Sequence, residues 1–332
     1  MKVALFHNRY KQPGGEDVMV DFEHRLLEKA GHEVKRFEVA NGDRIADGGF
    51  AKLRGAALTA MQAGWNQDSM RSVLAMLEDF RPDIGHVHNW FPLLSPSIYE
   101  AHRMAGVPVV QTLHNYRLFC AKGTCWDGQG VCIDCVDGKR SRAVRRGCYR
   151  DSHLQSAVWW QTMSRSWADG TFRSLVDAYL APSQVVRDLH IEAGLPAEKI
   201  RVVANACEDP GLVPFGGEAP AAVFVGRLEE EKGIRSLLEG WRALPWTLHV
   251  VGQGSLSSEL MQTYGKDLQI RFHGQLSRDR VRDVIRQSSL AVFPSIWHEP
   301  FGLGVIEAMA SGRPVVTAGP GAPGRLIEHG VS

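Results

Sequence analysis

A chain of 332 residues is too long for one ordinary hydrophobic core and fits two domains of about 100–200 residues each. Hydrophobic residues make up 44% and charged residues 23%, which excludes a disordered chain. The 38 basic and 37 acidic side chains leave a formal charge of +1, so no global field recruits nucleic acid or a membrane, and no apolar run reaches the ~18–20 residues of a membrane span.

"KVALFHN" is a strand, and the opening segment turns polar directly after it, so no signal peptide is expected and the chain is read as cytoplasmic. "EDVMVDFEHRLLEKAG" predicts a helix with Val18, Phe22 and Leu26 on its buried face and Gly31 as a stop. Strands follow at "HEVKRFEV", "DIGHVHN" and "VPVVQTLHN", with a helix through "SPSIYEAHRMAG". This alternation is the rhythm of a doubly wound parallel sheet. It breaks between Tyr116 and Arg150, a Cys-rich insertion, and resumes with a long helix expected from Asp151 to about Val176. "DAYLAPS", "QVVRDLHIEAGL" and "EKIRVVAN" complete a first domain, 1–205.

The Pro-, Gly- and acid-rich stretch 206–220 reads as a linker. A second α/β domain spans 221–332, with strands at Ala221–Gly226, Leu248–Gly252, Ile270–Gly274, Leu290–Ser295 and Pro314–Ala318. Helices are expected at Ile234–Ala243, Ser257–Tyr264, Arg278–Ser288 and Leu303–Ala310.

Ligands of open α/β sheets bind beyond the carboxyl ends of the strands. "LAVFPS" is a strand, so "IWHEPFG" is the loop at that end, and the following helix turns its amino end to the same place. Amides around Gly302, Leu303 and Gly304 there suit an anion such as a phosphate. Glu299 and Glu307 flank them as acceptors for hydroxyls on either side of a diphosphate; the alternative is a solvated Glu299 and a Glu307 that only interacts with the helix dipole. "FVGRLEEEKGI" closes another strand and sets Arg227 and Lys232 to offset the charge of a diphosphate, or else to pair with Glu229, Glu230 and Glu231 on a surface.

The "PGGED" loop, "TLHN", "GRLEEEKG" and "EPFGLGVIEAMASGRPVV" together resemble the retaining glycosyltransferases of group 1, or family 4, over nearly the whole chain. The resemblance implies a GT-B fold of two Rossmann-like domains facing across a cleft, with the acceptor served by the first and the donor by the second. It implies that Glu307 holds ribose hydroxyls, Glu299 the transferred sugar, and Arg227 and Lys232 the diphosphate, with Phe301, Gly302 and Leu303 facing the donor. Gly14, Gly15 and Glu16 are implied as a loop closing over the donor, and His114 as a group approaching the sugar. Catalytic roles thus fall to His114 and Glu299. The implied donor is a nucleotide sugar, UDP ahead of GDP, and the acceptor a growing polysaccharide or lipid-linked saccharide. No nucleic-acid partner is implied.

Two positions depart from the family pattern: Asn115 follows His114 where the family often has Asp, and Arg325 stands where it has a glutamate. GT-B chains also continue beyond the point matching Ser332, so the second domain is expected to be incomplete. No Asp-x-Asp pair occurs, so no catalytic metal is expected. A sugar-nucleotide hydrolase or epimerase, and a non-catalytic nucleotide-sugar-binding or scaffold protein, are the competing readings.

Five of six cysteines lie between Cys120 and Cys148. Cys120, Cys132, Cys135 and Cys148 are candidate ligands of a structural zinc, because Cys132-x-x-Cys135 has knuckle spacing; reactive thiols are the alternative. Lys139, Arg140, Arg142, Arg145, Arg146 and Arg150 precede Trp159, Trp160, Met163 and Trp167, which reads as a peripheral membrane contact or, structurally, as core aromatics beside solvated or paired bases. His7, His86, His88 and His114 approach one rim as hydrogen-bonded cleft residues or a histidine metal site, and only His114 is assigned a role.

Overall fold

The computed structural model describes residues 1–10, 14–40, 64–211, 214, 220–328 and 330. It divides into two compact units, one formed by 1–123 with 133–204 and the other by 124–132 with 205–332. The expected 206–220 linker lies partly outside the described residues, as does Pro13 of the "PGGED" loop.

In the first unit the elements run β1 (Lys2–Arg9), α1 (Gly15–Lys29), β2 (Glu33–Ala40), α2 (Gln67–Phe80), β3 (Ile84–Asn89), α3 (Ser97–Ala105) and β4 (Val109–Thr112). They continue with α4 (Arg142–Arg146), α5 (His153–Ala168), β5 (Ala178–Ala181), α6 (Gln184–Glu192) and β6 (Ile200–Val202). Among the described residues these strands form one sheet in the order β2-β1-β3-β4-β5-β6, every pairing parallel. Val3, Leu5, Phe6 and Val87 are buried because helices cover both faces.

The phase of α1 differs from the expected one. Leu26 is 52% exposed, whereas Asp17, Met19 and Val20 are buried. Two acids lie on or near the inner side, each beside imidazoles from β1 or β3: Asp17 bonds to His7, and Glu23 lies 3.4 Å from both His86 and His88. Partnered acids are tolerated where an apolar count would not place them.

The long helix expected to Val176 stops at Ala168. Asp169 Oδ1 accepts from Thr171 N and Oγ1, Gly170 takes φ +78°, and a π-helical turn covers Thr171–Leu175. Trp159, Met163 and Trp167 are core residues, and only Trp160 is exposed among those singled out there. Arg140 is buried over the Trp167 ring and donates to Ala193 O, while Arg142 and Arg146 pair with Asp137 and Asp134. The structural reading of this stretch therefore describes these side chains. No described helix is long and apolar enough to cross a membrane.

The second unit runs β7 (Ala221–Val225), α7 (Ile234–Trp241), β8 (Thr247–Val251), α8 (Ser257–Tyr264), β9 (Ile270–Gly274), α9 (Arg278–Gln287), β10 (Leu290–Phe293), α10 (Leu303–Ala310), β11 (Val315–Thr317) and α11 (Pro323–Leu326). Its described strands are parallel in the order β11-β10-β7-β8-β9. Alternation splits the core in two: Phe224, Leu238 and Val250 pack on one face, and Val223, Ile285, Phe293 and Val305 on the other.

His102 and His190 are fully buried in the first unit, each bonded through Nδ1 to the carbonyl four residues earlier, Ile98 O and Val186 O, at 2.7 Å. Burial pulls both rings down to about 4. Below about 6.5 the unfolded chain therefore takes up protons that the folded one refuses, and stability present at neutral pH is lost as pH falls through 4. This lowering corresponds to about 3 kcal/mol per ring. The buried carboxyls of Glu16 and Glu23, raised to about 7, act in the opposite sense. The urea midpoint of the first unit is expected to gain less, or lose more, from pH 4 to 6.5 in His102→Gln than in the unaltered chain; an equal pH slope in that variant contradicts the assignment.

Candidate functional site

In the second unit, β7 and β10 are neighbours, so their carboxyl ends release two loops side by side. The first passes through a single 3-10 turn, Glu230–Lys232, into Gly233 at φ +68°. A Cβ on Gly233 would lie 2.0 Å from Pro294 O, so only glycine lets the loops approach this closely. Ile296 N donates to Glu231 O at 2.9 Å and ties the loops together.

This contact delivers Lys232 to Glu299. Lys232 Nζ donates to Glu299 Oε2 at 2.5 Å, and Ser295 Oγ and Trp297 Nε1 donate to the same oxygen at 3.0 Å. The ammonium also sits 5.2 Å from the Trp297 ring centroid. Behind the carboxylate, Ala322 N donates to Glu299 O at 2.9 Å. A mostly buried carboxylate is thus oriented by three donors.

After buried Phe301, α10 begins at Leu303 from Gly302, whose φ of +95° is open to glycine and whose side has no capping bond. The first N–H groups of a helix have no partner within it, so Gly302 and Leu303 present donors with the positive end of the dipole. Glu307 lies on this helix with Arg278 Nη2 3.7 Å from its Oε1. Burial raises its pKa, opposed by Arg278 and Arg282. Arg227, largely exposed, donates to Glu231 Oε1 at 3.0 Å.

The structure therefore brings Lys232 directly onto Glu299 and sets Arg227 and Glu307 in ion pairs of their own. Ser295 and Trp297 as partners of Glu299, and Arg278 as a partner of Glu307, are contacts that the motif did not disclose. The first two were legible as polar residues four and two positions before Glu299 at a strand end. Arg278 had no such signal, since only the fold carries α9 to α10.

In the first unit, Asp17 accepts from Gly14 N at 2.8 Å and bonds to His7 Nε2 at 2.9 Å. Gly15 opens α1, and Glu16 accepts from Tyr10 OH at 3.1 Å and Asn115 Nδ2 at 3.2 Å. Burial pushes the Glu16 carboxyl up to about 7. Asn115 also accepts from Arg117 N through Oδ1, a turn role that a neutral amide performs. His114 Nε2 bonds to His88 Nδ1 at 2.9 Å, and His86 Nε2 to Thr112 Oγ1 at 2.7 Å. Burial pulls His114 to about 3 and His86 to about 4, so the rings are neutral near pH 7. Cys132 belongs to the second unit, whereas Cys120, Cys135 and Cys148 belong to the first.

The family model described as Glycosyl transferases group 1 matches residues 213–332, and that of Glycosyltransferase Family 4 matches residues 13–209. The chain belongs to glycosyltransferase family 4. Among curated proteins, this family 4 chain is 28% identical to the glycogen synthase of Mycobacterium tuberculosis over 76% of its own length and 55% of that protein's. It is 28% identical to the mannosylfructose-phosphate synthase of Agrobacterium fabrum over 46% of its length and 40% of that protein's. The chain spans about half the length of the curated relatives it matches.

Solved structures show the same GT-B fold. The Anabaena protein HepE in complex with UDP-glucose aligns over 100% of this chain and 84% of its own at TM-score 0.61 and 19% identity. Sucrose-phosphate synthase from Thermosynechococcus elongatus aligns over 95% and 80% at 0.65 and 17%.

Removing one member of a mostly buried ion pair strands the other charge, at a cost of about 2–4 kcal/mol. Lys232→Met is expected to destabilise the second unit by that amount in urea unfolding. Adding Glu299→Gln to it should cost less than the sum of the single changes. Strict additivity would show that the two side chains do not depend on each other.

Proposed function

We propose that the chain is a retaining glycosyltransferase, moving a sugar from a nucleotide diphosphate donor to a hydroxyl acceptor. The observation that carries this reading is Lys232 on Glu299 beside the open amino end of α10. A diphosphate at that end offers Lys232 more negative charge than one carboxylate does, so the ammonium turns to it, with Arg227 as the second cation. Glu299, still oriented by Ser295 and Trp297, then accepts sugar hydroxyls through a carboxylate placed before the ligand arrives. Glu307 takes the ribose hydroxyls, and the amides of Phe301, Gly302 and Leu303 face the donor.

In this reading residues 221–332 serve the donor and residues 1–205 the acceptor, a polysaccharide or lipid-linked saccharide, with Gly14, Gly15, Glu16 and His114 contributed by the latter. Retention follows from attack on the leaving-group side through an oxocarbenium-like transition state, so no covalent nucleophile is assigned. UDP is the preferred donor base, supported by the UDP-glucose named with HepE. The two cations take the place of a divalent ion on the diphosphate. The work is placed in the cytoplasm, at or near the membrane that carries the acceptor.

A ligand that binds only the folded state stabilises it by about 2.7 kcal/mol at a hundred times its dissociation constant. Thermal unfolding with a panel of nucleoside diphosphates and their sugars is expected to show stabilisation by UDP compounds that is lost in Glu307→Ala and persists in a chelator. No response to any nucleotide would sink the donor-site reading; strict dependence on added magnesium or manganese would sink its metal independence.

A further inference from the structure

Within the first unit, Glu23 of α1 meets His86 and His88 of β3. These are the described His, Cys, Asp and Glu side chains that gather three ligand atoms within 4.8 Å of one another inside a unit. Glu23 Oε2 lies 3.4 Å from His86 Nδ1 and 3.4 Å from His88 Nε2. That separation is long for a charge-assisted hydrogen bond, which closes to about 2.7–2.9 Å. It does match the edge between donor atoms around a tetrahedral ion with bonds of about 2.0–2.1 Å, which is about 3.4 Å.

Two further observations point to a ligand. His88 is 3% exposed, and its Nε2 makes no hydrogen bond although it faces the carboxylate. A buried polar nitrogen without a hydrogen bond is costly unless something else satisfies it. Each imidazole is also held from behind at its other nitrogen, His86 by the Thr112 hydroxyl and His88 by His114. Metal-binding histidines are oriented in this way by groups at the nitrogen that does not bind.

We infer that Glu23, His86 and His88 form a binding site for a divalent transition ion of the zinc class, with a fourth position for water or a further ligand. Two neutral imidazoles and one carboxylate make a borderline donor set, which suits zinc or cobalt better than magnesium or calcium. All three ligands belong to the first unit. The consequence of the ion is positional: with Nε2 of His88 on the ion, Nδ1 must carry the proton and donate to His114 Nε2. The remaining N–H of His114 is then at Nδ1. The ion thereby fixes the tautomer of the ring to which the glycosyltransfer reading assigns a sugar contact, and only that consequence rests on the reading.

The full chain, stripped with a chelator and titrated with Co²⁺, tests the site by absorption spectroscopy and X-ray absorption. The expected result is one ion per chain on nitrogen and oxygen ligands that is still taken up in Cys132→Ser/Cys135→Ser, where no sulfur-to-metal charge transfer remains. Glu23→Gln and His88→Gln should each weaken this ion at least tenfold, and Thr112→Val by about tenfold through loss of the supporting hydroxyl. Folding of each variant is checked by circular dichroism, and the X-ray absorption spectrum of the unaltered chain needs no variant. Uptake only by thiolates, no uptake, or unchanged affinity in folded Glu23→Gln and His88→Gln overturns the site.

Discussion

The parallel sense of every described strand pairing is the constraint on which both units depend. Parallel strands need a crossover for each return, so helices cover both faces and all carboxyl ends finish at one edge of each sheet. In the first unit that edge collects His7, His88, His114 and the start of α1. In the second it collects the loop of Arg227 and Lys232, the loop of Glu299, and the amino end of α10. Chemistry accumulates there because backbone leaving a strand has unpaired groups and glycines permit close approach.

The cost of burying charge shapes what happens at those edges. Asp17 and Glu23 turn inward on α1 and are met by imidazoles, while Leu26 is left in solvent. His86 and His114 lose their charge to the low-dielectric interior and act as neutral donors and acceptors. The same economy explains His102, whose ring packs where a Cβ on Gly85 would lie 2.1 Å from its Nε2. A histidine-rich strand such as "GHVHN" thus presents two chemically different faces: His86 and His88 toward Glu23, and Gly85 toward a structural ring.

In the second unit, opposite charges are organised by the fold itself. Lys232 and Glu299 belong to different loops, and a glycine at Gly233 and one backbone hydrogen bond bring them together. Ser295 and Trp297 then hold the carboxylate independently of the lysine. An exchange of Lys232 between Glu299 and an anion would leave the acceptor in place, which is the preorganisation that differential binding requires.

From sequence alone, strand and helix order in both units was legible, since alternating β-branched and amphipathic runs are local signals, and so was the motif bracketing the amino end of α10. The helix Leu303–Ala310 and the strand Ile270–Gly274 have the bounds their patterns imply. The buried face of α1 was not legible, because a hydrophobic count cannot know that β1 and β3 supply partners for its acids. Nor was the early end of α5, set by an Asp169 side chain turning back on Thr171. Pairings were decided only in three dimensions: Lys232 with Glu299, Glu307 with Arg278, and Glu23 with two histidines far along the chain. Periodicity reports which way a residue faces; the residue that meets it depends on crossovers that bring distant strand ends to one edge.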